Sequence, residues 1–151
     1  MTDLALALSD DGTEINLKLT PEGSLLMEGG LETAVLLSLF TDARVAESEL
    51  PPGLNSVRGW WGDEFLSNPG DKTGSKLWTF SRDKLNTKTA ASIQVRAKQA
   101  LAWMIDDGTA LKVDVTTAVK PGFIEIIVKI TRPSGREDRF AMQWDGQSIK
   151  R

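Results

Sequence analysis

Residues 111–144 read LKVDVTTAVKPGFIEIIVKITRPSGREDRFAMQW, and they decide the fold. Leu111, Val113 and Val115 recur at every second position, as do Ile124, Ile126, Val128 and Ile130, and then Phe140, Met142 and Trp144. Side chains at period two share one face of a strand, so each run reads as a strand with one buried face. Lys120-Pro121-Gly122 and Pro133-Ser134-Gly135 separate the runs; proline presets φ there, and glycine accepts a positive one. The stretch predicts a three-stranded antiparallel meander. Its last strand, Arg139 to Trp144, lies at an edge unless another segment covers it, and an open edge accepts an added strand.

Working outward, a long helix precedes the meander. Asn86 or Thr87 caps it and it runs through Ile105, with Ala90, Ile93, Ala97, Ala100, Leu101, Met104 and Ile105 on one face. Lys88, Arg96 and Lys98 point mostly outward, and Gly108 stops the helix. Asp106 and Asp107 stand at its negative end, at a cost of about 0.3–1 kcal/mol per charge, and so ask for a polar contact. Lys76 to Phe80 forms a helical turn or an extended piece. Leu31, Ala34, Val35, Leu39 and Phe40 have helical spacing, with Glu32 in the first turn, and predict a short buried helix over 31–41. Leu4, Leu6 and Leu8, then Ile15, Leu17 and Leu19, alternate on either side of Ser9-Asp10-Asp11-Gly12 and predict a hairpin. Pro21-Glu22-Gly23 then turns the chain into an apolar piece, Leu25 to Met27, which ends at Gly29-Gly30. The class is α+β: an N-terminal hairpin, one short and one long helix, and the C-terminal meander. No repeat, low-complexity tract or linker divides residues 1–151, which read as one domain with a long irregular loop at about 42–74.

That loop holds Pro51-Pro52-Gly53, Gly59, Gly62 and Asn68-Pro69-Gly70 without periodicity, and a structureless stretch of this length is more often functional than idle. Its centre, Arg58-Gly59-Trp60-Trp61-Gly62-Asp63-Glu64-Phe65, places three aromatic residues and two glycines in a short span. Paired tryptophans supply large rigid area of the kind that dominates interface hot spots. The expectation is that one tryptophan plugs the core while the loop sets an assembly surface. Trp78, Trp103 and Trp144 lie beside apolar positions and are expected in the core, with Trp103 near the Trp60–Trp61 loop.

Composition narrows the chemistry. The chain of 151 residues is 40% hydrophobic and 26% charged, as in a soluble globular protein. No apolar run approaches the roughly 20 residues of a membrane helix, and Met1 to Leu8 has no basic leader, so the expectation is a soluble chain that begins in the cytoplasm. It has no Cys, no His and no Tyr. Thiol and imidazole nucleophiles, a Ser-His-Asp triad and a Cys or His zinc site are therefore excluded, and neither cofactor nor metal is expected. Net charge is −3, but residues 1–64 hold 3 basic and 12 acidic residues, whereas residues 65–151 hold 15 and 9. Such polarity suits a subunit docking on complementary neighbours; a simple solvated face is the plainer reading.

Three other chemistries have candidates. Asp63, Glu64, Asp106 and Asp107 could supply the two acids of a glycosidase, but adjacency in sequence does not establish the required separation. Residues 69–76 lack the glycine spacing of a phosphate loop. Arg132, Arg136, Arg139, Lys150 and Arg151 are basic, but no exposed aromatics interleave with them, and neither nucleic acid nor membrane is an expected partner.

Four stretches together, GGLETAVLLSLFTD from Gly29, RGWWGD from Arg58, GSKLW from Gly74 and ALAWMIDDG from Ala100, resemble the small baseplate protein family of Mu-like phages and prophages over nearly the whole chain. The resemblance implies a non-enzymatic structural subunit of a contractile-tail baseplate, in the virion, assembled in the bacterial host cytoplasm. More remotely the family is similar to the sheath-initiator or lysozyme-like wedge proteins. That likeness implies wedge subunits, the tail sheath protein and the tube or spike hub as partners, with the chain oligomeric in the assembled baseplate. The lysozyme label also raises the alternative of a peptidoglycan-cleaving enzyme. Sheath initiators carry Glu-Pro-Arg after the long helix where this chain reads Ile105-Asp106-Asp107-Gly108, so that contact does not transfer. The interaction residues expected are Arg58, Trp60, Trp61, Asp63, Asp106, Asp107, Arg139 and Phe140.

Overall fold

The computed structural model describes residues 3–9, 14–28, 30–67, 71–146 and 149–150. In chain order these form β1 (Asp3–Leu4), β2 (Leu6–Leu8), β3 (Ile15–Leu17), β4 (Met27–Glu28), α1 (Glu32–Phe40), α2 (Thr87–Ala100), α3 (Trp103–Asp106), β5 (Lys112–Lys120), β6 (Phe123–Thr131), β7 (Glu137–Trp144) and β8 (Ile149–Lys150). Three 3-10 turns, Glu47–Glu49, Trp61–Phe65 and Leu77–Phe80, punctuate the segment between α1 and α2. The expected α+β arrangement of hairpin, helices and antiparallel meander is the one observed. The expected turn residues Asp10-Asp11-Gly12, together with Gly29, Asn68-Pro69-Gly70 and Arg151, lie outside the described residues.

The meander is fully antiparallel, with Val115 opposite Val128, and Ile126 opposite Met142. Gly122 and Gly135 take φ of +84° and +82° at the two turns, conformations that cost glycine nothing. β8 pairs with β7 only at Gln143 and Trp144, so the outer edge of β7 from Glu137 to Met142 is unpaired among the described residues. Alternation buries Val113, Val115, Ile124, Ile126, Val128, Ile130, Met142 and Trp144 beneath α2, which contributes Ala90, Ile93 and Ala97. Small residues on the helix let it approach closely. Full burial of each large aliphatic side chain stabilises by about 1.5–3 kcal/mol.

Asn86 caps α2, its Oδ1 accepting from the Thr89 amide at 2.9 Å. The helix does not run unbroken to Ile105 as expected. It bends at Leu101–Ala102, where bonds from the Met104 amide to Leu101 O and from the Ile105 amide to Ala102 O tighten the turn. The bend keeps Leu101 and Met104 fully buried, and Met104 O accepts from the Ala110 amide at 2.7 Å to lead into β5. It also turns Trp103 and Ile105 outward, 42% and 45% exposed. Trp103 is therefore not a core residue, contrary to expectation; its indole N–H donates to Ser38 Oγ at 3.0 Å and ties α3 to α1. Trp78 and Trp144 are buried as expected.

Candidate functional site

The segment between α1 and α2 is an irregular loop with a closed neck. A single parallel bridge joins Asp42 to Ser75, with the Ala43 amide donating to Ser75 O and the Ser75 amide to Thr41 O, both at 2.9 Å. Ser75 Oγ donates to Leu39 O at 2.5 Å. Gly74 has φ +92°, and a Cβ there would meet Thr41 O at 2.1 Å, so only glycine closes the neck.

Above the neck, Arg58 clamps the chain. Its Nη1 donates to Asp42 Oδ2 at 2.6 Å, and its guanidinium lies 4.5 Å from the ring centroid of Trp78. The buried Trp78 ring in turn donates its N–H to Ala43 O at 2.9 Å. Arg58 holds φ +49°, a strained conformation for a residue with a side chain, and Gly59 follows at +109°. Beyond these two residues of positive φ, Trp60 leads into the 3-10 turn Trp61–Phe65, and together they form a knuckle.

The knuckle is ordered by its own side chains. The Trp60 ring lies on Gly62, where a Cβ would fall 2.2 Å from Trp60 Cη2. The Trp60 and Trp61 centroids are 5.7 Å apart, and Phe65 meets Trp61 edge-on at 6.0 Å. Asp63 Oδ1 accepts from the Thr73 amide at 3.0 Å, fastening the knuckle to the returning limb. Trp60, Trp61 and Phe65 nevertheless remain 41%, 75% and 78% exposed. Neither loop tryptophan plugs the core, which corrects the expectation. Gly62 receives the Trp60 ring instead, and the buried indole beneath the loop is Trp78, reached through Arg58.

Of the expected interaction residues, Arg58, Trp60, Trp61 and Asp63 come together here. Arg58 and Asp63 brace the knuckle, while Trp61 forms its crest. Asp106 and Asp107 are exposed at the end of α3, where Asp107 Oδ1 accepts from the Thr109 amide at 2.9 Å. Arg139 and Phe140 sit on β7: Arg139 is exposed opposite Lys129, and Phe140 packs partly on the core opposite Val128. Phe65, counted among the loop's aromatic residues, was not among the expected interaction residues; its position four residues after Trp61 was the available signal. Asp42, Thr73 and Gly74 were also not among the expected interaction residues: Asp42 holds Arg58 through its carboxylate, while Thr73 and Gly74 act through the backbone. Among the described residues no group of three or more acidic side chains could hold a metal ion.

Comparison with known proteins adds three similarities. Residues 31–137 match the family described as Phage protein GP46. The chain is 40% identical over 147 residues to the Mu-like prophage FluMu protein gp46 of Haemophilus influenzae, covering 95% of this chain and 98% of that one. It is 33% identical over 138 residues to the baseplate protein gp46 of Escherichia phage Mu, covering 89% and 90%.

Proposed function

The chain belongs to the GP46 family of phage proteins, and from that premise we propose that it is a structural component of a contractile-tail baseplate, helping to join wedge subunits and to initiate the sheath. The baseplate role is supported by the name of the phage Mu relative, which denotes a structural assembly and not a reaction. The observation that carries the docking mechanism is the knuckle: Trp61 and Phe65 are three-quarters exposed yet fixed by ring contacts, the Arg58 clamp and the Asp63 bond. Rigid exposed aromatics lose little conformational freedom on binding, and their large apolar area leaves water only when a partner covers them. In this reading the wedge proteins cover the knuckle. The unpaired edge of β7, which carries Arg139 and Phe140, takes a strand from the tail sheath. The tube or spike hub lies alongside, and assembly takes place in the host cytoplasm.

A Trp61→Ala/Phe65→Ala double variant tests this, since neither ring is part of the buried core. The expected result is a folded monomer that fails to complete sheathed tails when it replaces the native chain in phage production. Normal tails from the variant would overturn the reading.

A further inference from the structure

The N-terminal ribbon carries a second apolar surface, of different origin. Leu4 pairs with Met27, Leu6 with Leu17, and Leu19 with Leu25. Cross-strand partners share a face, and so do residues two apart along an extended chain. On the hairpin that the Leu19–Leu25 bridge closes, Leu17, Leu19, Leu25 and Met27 therefore share one face, beside the partly buried Leu4 and Leu6. Ala5, between Leu4 and Leu6, is 2% exposed and sits within the segment that Thr33 of α1 fastens. There Thr33 Oγ1 donates to Leu4 O at 3.0 Å and accepts from the Leu6 amide at 3.1 Å. Ala5 thus turns to the body of the protein, whereas the large side chains of the hairpin, Leu26 at 39% included, stand partly in solvent. Leu17, Leu19, Leu25 and Met27 are 49%, 59%, 49% and 54% exposed. Four large apolar side chains standing half in solvent on one face mark a candidate binding surface.

Charge decides what covers it. The first 30 residues carry Asp3, Asp10, Asp11, Glu14, Glu22 and Glu28 against Lys18 alone, and Lys18 is already engaged by Glu32 at 3.6 Å. Glu14 and Glu22 are exposed on the ribbon. A second copy packed ribbon on ribbon would set acid against acid, which interfaces avoid. We infer that this ribbon face docks a different protein through an apolar strip bordered by lysine and arginine, independently of the tryptophan knuckle.

The test uses two synthetic amphipathic peptides with the same leucine stripe, one flanked by lysines and one by glutamates, titrated against the full chain. The lysine peptide is expected to bind at least about tenfold more tightly, with the preference shrinking as salt rises. Leu19→Asn/Leu25→Asn should lose that binding while remaining folded, with a thermal midpoint within about 4 °C of the native one; Leu17→Gln/Met27→Gln replaces it should the first pair not fold. Trp61→Ala/Phe65→Ala should bind as the native chain does. Equal binding of the two peptides, binding unchanged in the ribbon variants, or binding lost in the knuckle variant would each overturn the inference. So would a concentration-dependent dimer in sedimentation that disappears in the ribbon variant, since the occupant would then be a second copy.

Discussion

In the C-terminal sheet every second residue of β6, from Ile124 to Ile130, is sealed beneath α2, whereas in the N-terminal ribbon the corresponding set from Leu17 to Met27 stands half in solvent. Both regions set large apolar residues at every second position. They differ in which side has a neighbour. α2 lays alanines against the large face of the sheet, while α1 meets the ribbon on its alanine side. Period two fixes which side chains share a face; the packing of a third element fixes which face is dry. In this protein the sheet supplies stability and the ribbon and knuckle supply surface.

The sharpest way to break that contrast is to cut into the sheet. Ile126→Ala removes a fully buried side chain and is expected to cost about 2–5 kcal/mol in denaturant unfolding, the range for such truncations in a closed core. A loss comparable to that of a surface substitution would mean that the sheet is not the stabilising half. Gly74→Ala comes next. Its Cβ would collide with Thr41 O at a positive φ, so the neck should open at a cost of more than about 1 kcal/mol, with the Arg58–Trp78 contact disturbed and indole fluorescence altered. Leu19→Asn/Leu25→Asn should shift unfolding by no more than about 0.5 kcal/mol per site, as surface positions do. A large loss there would place the ribbon face in the core and erase the contrast.

The smallest expected effect is electrostatic. Hydrogen bonding from Lys76, then from the Ala46 amide, holds the Glu49 carboxyl below the usual glutamate value of 4.5. A lowered folded pKa favours the native state at neutral pH, and that contribution disappears as pH falls through the lowered value. Glu49→Gln should therefore flatten the acid limb of stability below about pH 5 and leave the slope at higher pH unchanged. An unchanged acid limb would show that the Lys76 contact does not persist in solution.

Much of this architecture was written locally. The meander, the α2 cap at Asn86 and the short helix follow from periodicity and from proline and glycine at the turns, because neighbouring residues alone decide them. The bend at Leu101 was not legible: no proline or glycine marks it, and it arises from keeping Leu101 and Met104 buried while the chain turns into β5. The loop was legible as a concentration of tryptophan and glycine, which located the candidate site. The exposure of its rings was not, because it depends on Trp78 and Arg58 filling the space below, a long-range fact. Asp106 and Asp107 were singled out from the helix dipole, but the hydrogen bond from the Thr109 amide to Asp107 is local and leaves both side chains exposed.

The most direct test of the knuckle as a docking surface is hydroxyl-radical footprinting of the aromatic side chains in the free chain and in purified tails. Trp61 and Phe65 should be modified readily in the free chain and be strongly protected in the tail, while Trp78 stays protected in both. Equal modification of Trp61 and Phe65 in the two states would contradict it.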